Sequence, residues 1–321
     1  MSRLTTHSLL ILTGLLCAAP GHAYRLETRL DAGYLKTDWD RDAFFAVEDD
    51  RRTRRGASLS LYFKDVDNNT MPLAEAAFAS RAGSFSLQGS DVNGESRAVA
   101  GEDYDSDSNA LAAHIVIEDM IIWDLQAASD RYKPSAGLRE RSRYLRAGIG
   151  SYFSAGGEHS LILYVDNDKP LERDVDGAEK TGFGLEYRNV LGIGSQHLAA
   201  GGGFAMRNVE LEPVVDPGYD IEAGEFELYG FVRYYPLRQL GVFARLDVSS
   251  YAEEHDNAVD TVRSDVSTRL GLGVSYFPVQ QFYLQLMLTS GTRTLNEEDD
   301  WIDEDVSASL NGAELSLGLR F

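Results

Sequence analysis

Cysteine is nearly absent from this chain. Its one copy, Cys17, lies in the first segment, so no disulfide braces the remainder. Long apolar runs are missing too. Beyond the first segment nothing approaches the roughly 18 consecutive apolar residues of a membrane-spanning helix, which excludes helical spans. Positive charge is scarce: 30 Lys and Arg stand against 51 Asp and Glu, a net charge of -21. Such a chain is a poor partner for nucleic acid or any other polyanion. Histidine is also sparse, with His114, His159, His197 and His255 outside the first segment. No Ser pairs credibly with any of them for nucleophilic chemistry. His255 stands among Glu253, Glu254, Asp256 and Asp260. That group suits a rim acid–His hydrolase, but a histidine in an acidic loop is usually just solvated, and that is the preferred reading. Asp65-Val66-Asp67-Asn68-Asn69 opens like a calcium loop, but Thr70 stands where the loop needs Gly, so it reads as a turn. The reading assigns no enzyme activity, no metal and no cofactor.

Residues 1–23 begin with Arg3, continue through an apolar stretch at 9–16 and end in Gly21-His22-Ala23. This is the pattern of a cleaved signal peptide. Leu16 precedes Cys17 where a lipoprotein signal wants a small residue. Removing Arg3 with this segment turns the -21 into -22. The expected mature unit is 24–321, exported and without helical spans.

What the chain has in abundance is alternation. Over 312–321, Ala313, Leu315, Leu317, Leu319 and Phe321 share one parity, and Glu314, Ser316, Gly318 and Arg320 share the other. This is a strand with one apolar and one polar face. The pattern recurs at 24–34, 58–63, 109–117, 120–128, 143–153, 160–166, 181–190, 196–207, 225–234, 241–249, 265–276 and 281–290. Residues 72–87 are less regular. The small residues of 74–82 fit a helical turn, but a strand with a bulge is the preferred reading. The sum is about 14 strands, most near the 9–11 residues that cross a bilayer at a tilt. The expected connections alternate, long near 38–55, 89–108, 129–142, 167–180, 208–224, 250–264 and 291–306, short between. That order predicts an all-β, antiparallel, up-and-down transmembrane barrel with both ends on the short-turn, periplasmic side. Tyr24, Phe63, Trp123, Phe153, Tyr187, Tyr234, Tyr276, Phe282 and Phe321 fall at the short-turn ends of the apolar face, as an interfacial girdle would.

The opposite face is charged, and charges facing lipid at mid-depth would cost about 2–4 kcal/mol each. They are therefore expected to line an interior. The candidates are Arg25, Glu27, Arg29, Asp31, Arg146, Arg207, Glu227, Arg233, Arg245, Asp247, Asp265, Arg269 and Glu314, with Arg81, Arg188, Arg320 and Glu75 on the same face. Such residues either pair to stiffen the wall or line a wet constriction that selects by charge. Acidic clusters crowd two outer loops: Glu297, Glu298, Asp299, Asp300, Asp303, Glu304 and Asp305 in one, Glu102, Asp103, Asp105 and Asp107 in the other. They raise cation concentration if they stand at a mouth. On the outer surface they would instead hold divalent ions against lipopolysaccharide phosphates.

The stretch Pro72-Leu73-Ala74-Glu75-Ala76-Ala77-Phe78, after an aromatic second strand and a short Asp/Asn turn, resembles the general bacterial porin family of Gram-negative bacteria. The leader, the ladder of strands and terminal Phe321 agree with it. The resemblance implies an outer-membrane pore for small hydrophilic solutes, set in lipid and lipopolysaccharide. It also implies that Phe321 is the signal read by the barrel assembly machinery. A loop-mediated adhesin or anchor is the competing class alongside the rim hydrolase.

Overall fold

In the computed structural model, the described residues are 23–39, 50–67, 71–96, 103–134, 140–170, 178–211, 220–256, 261–298 and 303–321. They form one closed antiparallel barrel in which each strand pairs with its neighbours in sequence and β1 closes on β14. The strands are β1 (Ala23–Trp39), β2 (Asp50–Asp67), β3 (Ser84–Ser96), β4 (Tyr104–Ile117), β5 (Ile121–Pro134), β6 (Glu140–Ser154) and β7 (Glu158–Pro170). They continue as β8 (Ala178–Ile193), β9 (Gln196–Leu211), β10 (Asp220–Leu237), β11 (Leu240–Asp256), β12 (Thr261–Val279), β13 (Phe282–Glu298) and β14 (Asp303–Arg320). Closure removes every free strand edge, so each backbone polar group within the wall finds a partner there. The seam runs in continuous register from Glu27 opposite Arg320 to Trp39 opposite Ala308. Past it, the Phe321 amide donates to the Leu26 carbonyl, and the Phe321 carbonyl accepts from Arg25 and Leu26.

The barrel is built inside out. Its exposed side chains include Leu163, Leu272 and Leu288, and the inward parity carries the charges. Most of the aromatic girdle stands where expected: Phe63, Trp123, Phe153, Tyr234 and Tyr276 are all exposed at short-turn ends. Phe153 also stacks flat on His159, and Tyr187 hydrogen-bonds the same imidazole, which places this histidine in the girdle.

Strands of 13–19 residues exceed the 9–11 expected, and much of each expected long loop is strand. The ladder continues past the apolar belt. There both faces meet water and alternation no longer marks the strand.

One connection breaks the expected order. Between β2 and β3, residues 71–83 do not form a strand. They make a 3-10 turn, Leu73–Glu75, and a one-turn helix α1, Ala76–Ala79, which fold into the barrel at its short-turn end. The preferred reading of 72–87 as one bulged strand is therefore corrected: the strand begins only at Ser84. Alanine satisfies a helical period as well as a strand period. What decides is the wall around the segment. Phe78 packs in a core with Ile122, Tyr152, Ile162, Val190 and Tyr235. Leu73 meets Phe277 and Tyr283 on the far wall, and Ala76 and Ala82 meet Tyr24 and Val66. Two residues past the end of α1, Arg81 sits at φ 49°. That left-handed conformation is unusual for a non-glycine residue. It is held by contacts from the Arg81 guanidinium to Glu158 at 2.6 Å, Ser154 at 2.7 Å and the Asp119 carbonyl at 2.8 Å.

Candidate channel interior

Register places the charged parity inside and sets it out as paired clusters. On β9, Arg207 reaches Asp166 at 3.0 Å, Glu227 at 3.0 Å and Glu225 at 3.3 Å, and Lys180 holds Glu225 from the other side at 2.7 Å. On β6, Arg146 bonds Glu186 at 2.8 Å, lies 3.4 Å from Asp124 and covers the Tyr164 ring. At the seam, Arg29 bridges Asp31 at 2.6 Å and Glu314 at 3.3 Å, and Arg320 bonds Glu27 at 2.8 Å. Arg245 forks onto Asp247. Arg293 forks onto Asp265. Arg269 faces inward opposite Asp247 in the ladder.

Twelve of the thirteen candidate interior residues thus point inward. Arg25 does not. The ladder slips between Tyr24 and Leu26, and an irregularity there reverses the parity of everything before it. Arg25 stands outside, bonded to Asp65 at 2.5 Å, and Tyr24 turns in beneath the insert, leaving the girdle. Arg81 and Glu75 belong to the insert and not to a wall strand. Asp105 and Asp107 also depart from expectation. They lie in β4 on the outward parity, with Asp107 bonded to Lys133 at 2.9 Å, so they do not stand at a mouth. Glu102, Asp299, Asp300, Asp260 and the His255, Glu297, Asp303, Glu304 and Asp305 side chains lie outside the described residues.

The residue that organises the short-turn end is Glu75. It is fully buried, and Arg188 and Arg233 converge on it, the latter at 3.6 Å, while the Tyr235 hydroxyl donates to it at 2.5 Å. Burial alone would raise the pKa of this carboxyl. The two guanidiniums and the hydroxyl outweigh that and hold it below the ordinary glutamate range. Around it, the Arg320 guanidinium donates to the Leu73 carbonyl at 2.5 Å, and the Leu73 amide donates to the Arg238 carbonyl at 3.0 Å. The insert is thereby tied to β8, β10 and β14 at once and crosses the interior. The sequence marks this only as a Glu within a run of alanines.

Above the insert the interior is lopsided. On the β1–β4 side, small inward residues, Gly33, Gly56, Ser58 and Ser90, leave a cavity of about 240 Å³ that is flanked by Arg29, Asp31, Arg54 and Glu314. The opposite wall carries Tyr144, Tyr164, Tyr229, Phe231 and Phe243. A second cavity, about 360 Å³, lies directly on the insert, lined by Arg188, Arg233, Arg245, Arg320, Glu27 and Glu314 among others.

No family model and no curated protein sequence matches the chain. Among solved structures, it is similar to the outer membrane protein Omp33 of Acinetobacter baumannii at 13% identity and a TM-score of 0.44, covering 94% of this chain and 100% of that one. It is also similar to the translocator domain of the autotransporter NalP from Neisseria meningitidis at 10% identity and a TM-score of 0.47, covering 99% and 95%. An outer membrane channel from Pseudomonas putida F1 stands at 13% identity and a TM-score of 0.46, covering 95% and 97%. The motif that resembles general bacterial porins, Pro72 to Phe78, lies in the insert.

Proposed function

We propose that this chain is an outer-membrane channel of a Gram-negative bacterium through which small hydrophilic solutes diffuse passively, with no enzymatic step. The observation that carries the reading is the closed wall with leucines outside and paired charges around cavities of about 240 and 360 Å³ inside. A soluble β-protein has no reason to turn its leucines out, and a barrel of this width is too wide for side chains alone to fill as they fill an eight-stranded one. The insert narrows the periplasmic end, so the channel is small. Interior charges of both signs stand together in mixed clusters, so selectivity is weak. A mild cation preference is taken from the acidic excess of the chain as a whole, 51 acidic side chains to 30 basic ones.

Planar-bilayer recording tests this directly. Defined conductance steps are expected, with a zero-current potential of cation sign across a KCl gradient that shrinks as salt shortens the screening length. A silent bilayer would refute the channel, and an anion-sign potential at low salt would refute the proposed preference. Membrane placement has its own test. Leu163 is 55% exposed, and Leu163→Arg would cost little on a soluble surface. Facing lipid it should cost about 2–4 kcal/mol and reduce the heat-modifiable band in the outer-membrane fraction. Phe321→Asp is expected to lower the same band further, as an assembly signal at the seam requires. Normal amounts of either folded variant would count against the placement or the signal respectively.

A further inference from the structure

Among the described residues outside the interior, charge is markedly uneven on the outer wall of β5, β6 and β7. At their long-loop ends the outward parity of these strands carries Arg131, Lys133, Arg141, Arg143 and Lys169, and no described position on these three outward faces is acidic. The chain as a whole has 51 acidic side chains to 30 basic ones. At similar height on the far wall, the outward residues include exposed Glu210, Glu254 and Glu298.

Register makes the asymmetry sharper. Arg131 lies directly opposite Arg141, and Arg143 lies directly opposite Lys169. Like charges so placed repel and weaken a sheet. Lys133 and Lys169 at the margins are shared with Asp107 and Glu179, at 2.9 and 2.6 Å. Arg143 has no ion-pair partner among the described residues. On its other side Arg131 faces Asp107, and Lys133 faces Asp105, so the excess of positive charge centres on Arg143 and the face of β6, which is open to an outside anion.

Immediately below lies a second feature. Leu111, Leu125, Leu145 and Val165 flank a floor of Ala113 and Ala147, leaving an apolar groove of about 630 Å³. A neighbouring groove of about 640 Å³ runs between Leu59, Leu87 and Leu111 over Ala57 and Gly89, with Arg143 at its rim. Arg143 is two residues beyond Leu145 on the same face, about 7 Å along the strand. The cationic cluster therefore meets the upper end of the apolar grooves.

We propose that this wall is a binding site for a phosphorylated, multiply acylated lipid of the outer leaflet. Its phosphates would lie between Arg131, Arg141, Arg143 and Lys169, and its acyl chains along the alanine-floored grooves. Guanidinium forks match phosphate oxygens two at a time, and the cluster supplies three. The inference rests on the outer-membrane placement proposed above but not on conduction.

The test uses the full folded chain in detergent, titrated with diphosphorylated lipid A and with the same lipid dephosphorylated, read by native mass spectrometry. Retention at least tenfold stronger for the phosphorylated form is expected. Arg143→Gln with Lys169→Gln should remove most of that preference, while heat-modifiability and single-channel conductance stay at parent values. Glu254→Gln on the far wall should change nothing. Equal retention of both lipids, or full preference in the double variant, overturns the site. Displacement by millimolar inorganic phosphate alone would reduce it to a bare anion site and overturn the acyl part. A second copy of the chain bound instead of lipid would also overturn it. A silent but lipid-selective barrel would sink the channel reading and leave this inference intact.

Discussion

Glu75→Ala is expected to raise single-channel conductance at least about twofold and to make it flicker. In the parent, Glu75 is the only carboxylate that the insert places between Arg188 and Arg233. Removing one partner of a buried ion pair costs about 3–5 kcal/mol, because the remaining charge is left without compensation. Here two guanidiniums and the Tyr235 hydroxyl lose their partner together. Against that loss, Phe78 and Leu73 each contribute about 2–3 kcal/mol of burial. The insert then spends an appreciable part of its time out of the periplasmic end. Glu75→Gln keeps the shape and loses the charge, so it should fall between the parent and Glu75→Ala. Acid should act in the same direction. The folded-state pKa of Glu75 is depressed, so its contribution is complete above the ordinary glutamate range and is lost only as pH falls through the lower folded value. The parent should keep one conductance from neutral pH down through the ordinary range and open below it. Glu75→Gln should show no such step. Unchanged conductance in Glu75→Ala would mean that the insert is not the constriction.

Much of the wall was legible because a membrane barrel writes its fold in a period of two. Leu315, Leu317 and Leu319 against Glu314, Ser316 and Arg320 say where lipid is and where it is not. The same signal fails in three physical situations. Where both faces meet water it vanishes, which hides the strand ends and with them Arg293, whose parity continues Gln285, Met287 and Thr289 up to Asp265. Where the ladder slips, it inverts, and Arg25 changes sides with Tyr24. Where small residues dominate, it is ambiguous. Ala74, Ala76 and Phe78 alternate as a strand would, yet the helical insert buries Ala76 against Tyr24 and Val66 and Phe78 against Ile122 and Tyr152. Glu75 was read as an inward wall charge for the same reason. A lone Glu between alanines carries the same letters whether it lines a lumen or anchors a plug, and only the converging Arg188 and Arg233 on distant strands distinguish the two.

Arg207→Ala should combine the largest loss of stability in the wall with the clearest change in selectivity. The Arg207 side chain is only 12% exposed, and it meets Asp166, at 1% exposed, and Glu225, at 16%. Truncation leaves Asp166 with the Tyr144 hydroxyl alone, at 3.2 Å. A buried carboxylate so stripped costs about 3–5 kcal/mol, to be read as a lower urea midpoint for unfolding in lipid vesicles. Lys180 continues to neutralise Glu225, but Glu227, 46% exposed toward the interior, loses its only described ion partner. One uncompensated negative charge then faces the lumen, and the zero-current potential should move further toward cations. Arg207→Lys separates the two effects. A lysine supplies the positive charge as a single point and cannot hold three carboxylates in a planar fork. Its barrel should lose part of the stability while keeping the parent potential. Equal urea midpoints for the parent and Arg207→Ala would mean that the cluster is solvated and that Arg207 does not brace the wall. An unshifted potential in Arg207→Ala would place the path of the ions away from β9 and β10, along β1–β4, where Gly33, Gly56 and Ser58 line the described cavity beside Arg29, Asp31 and Arg54.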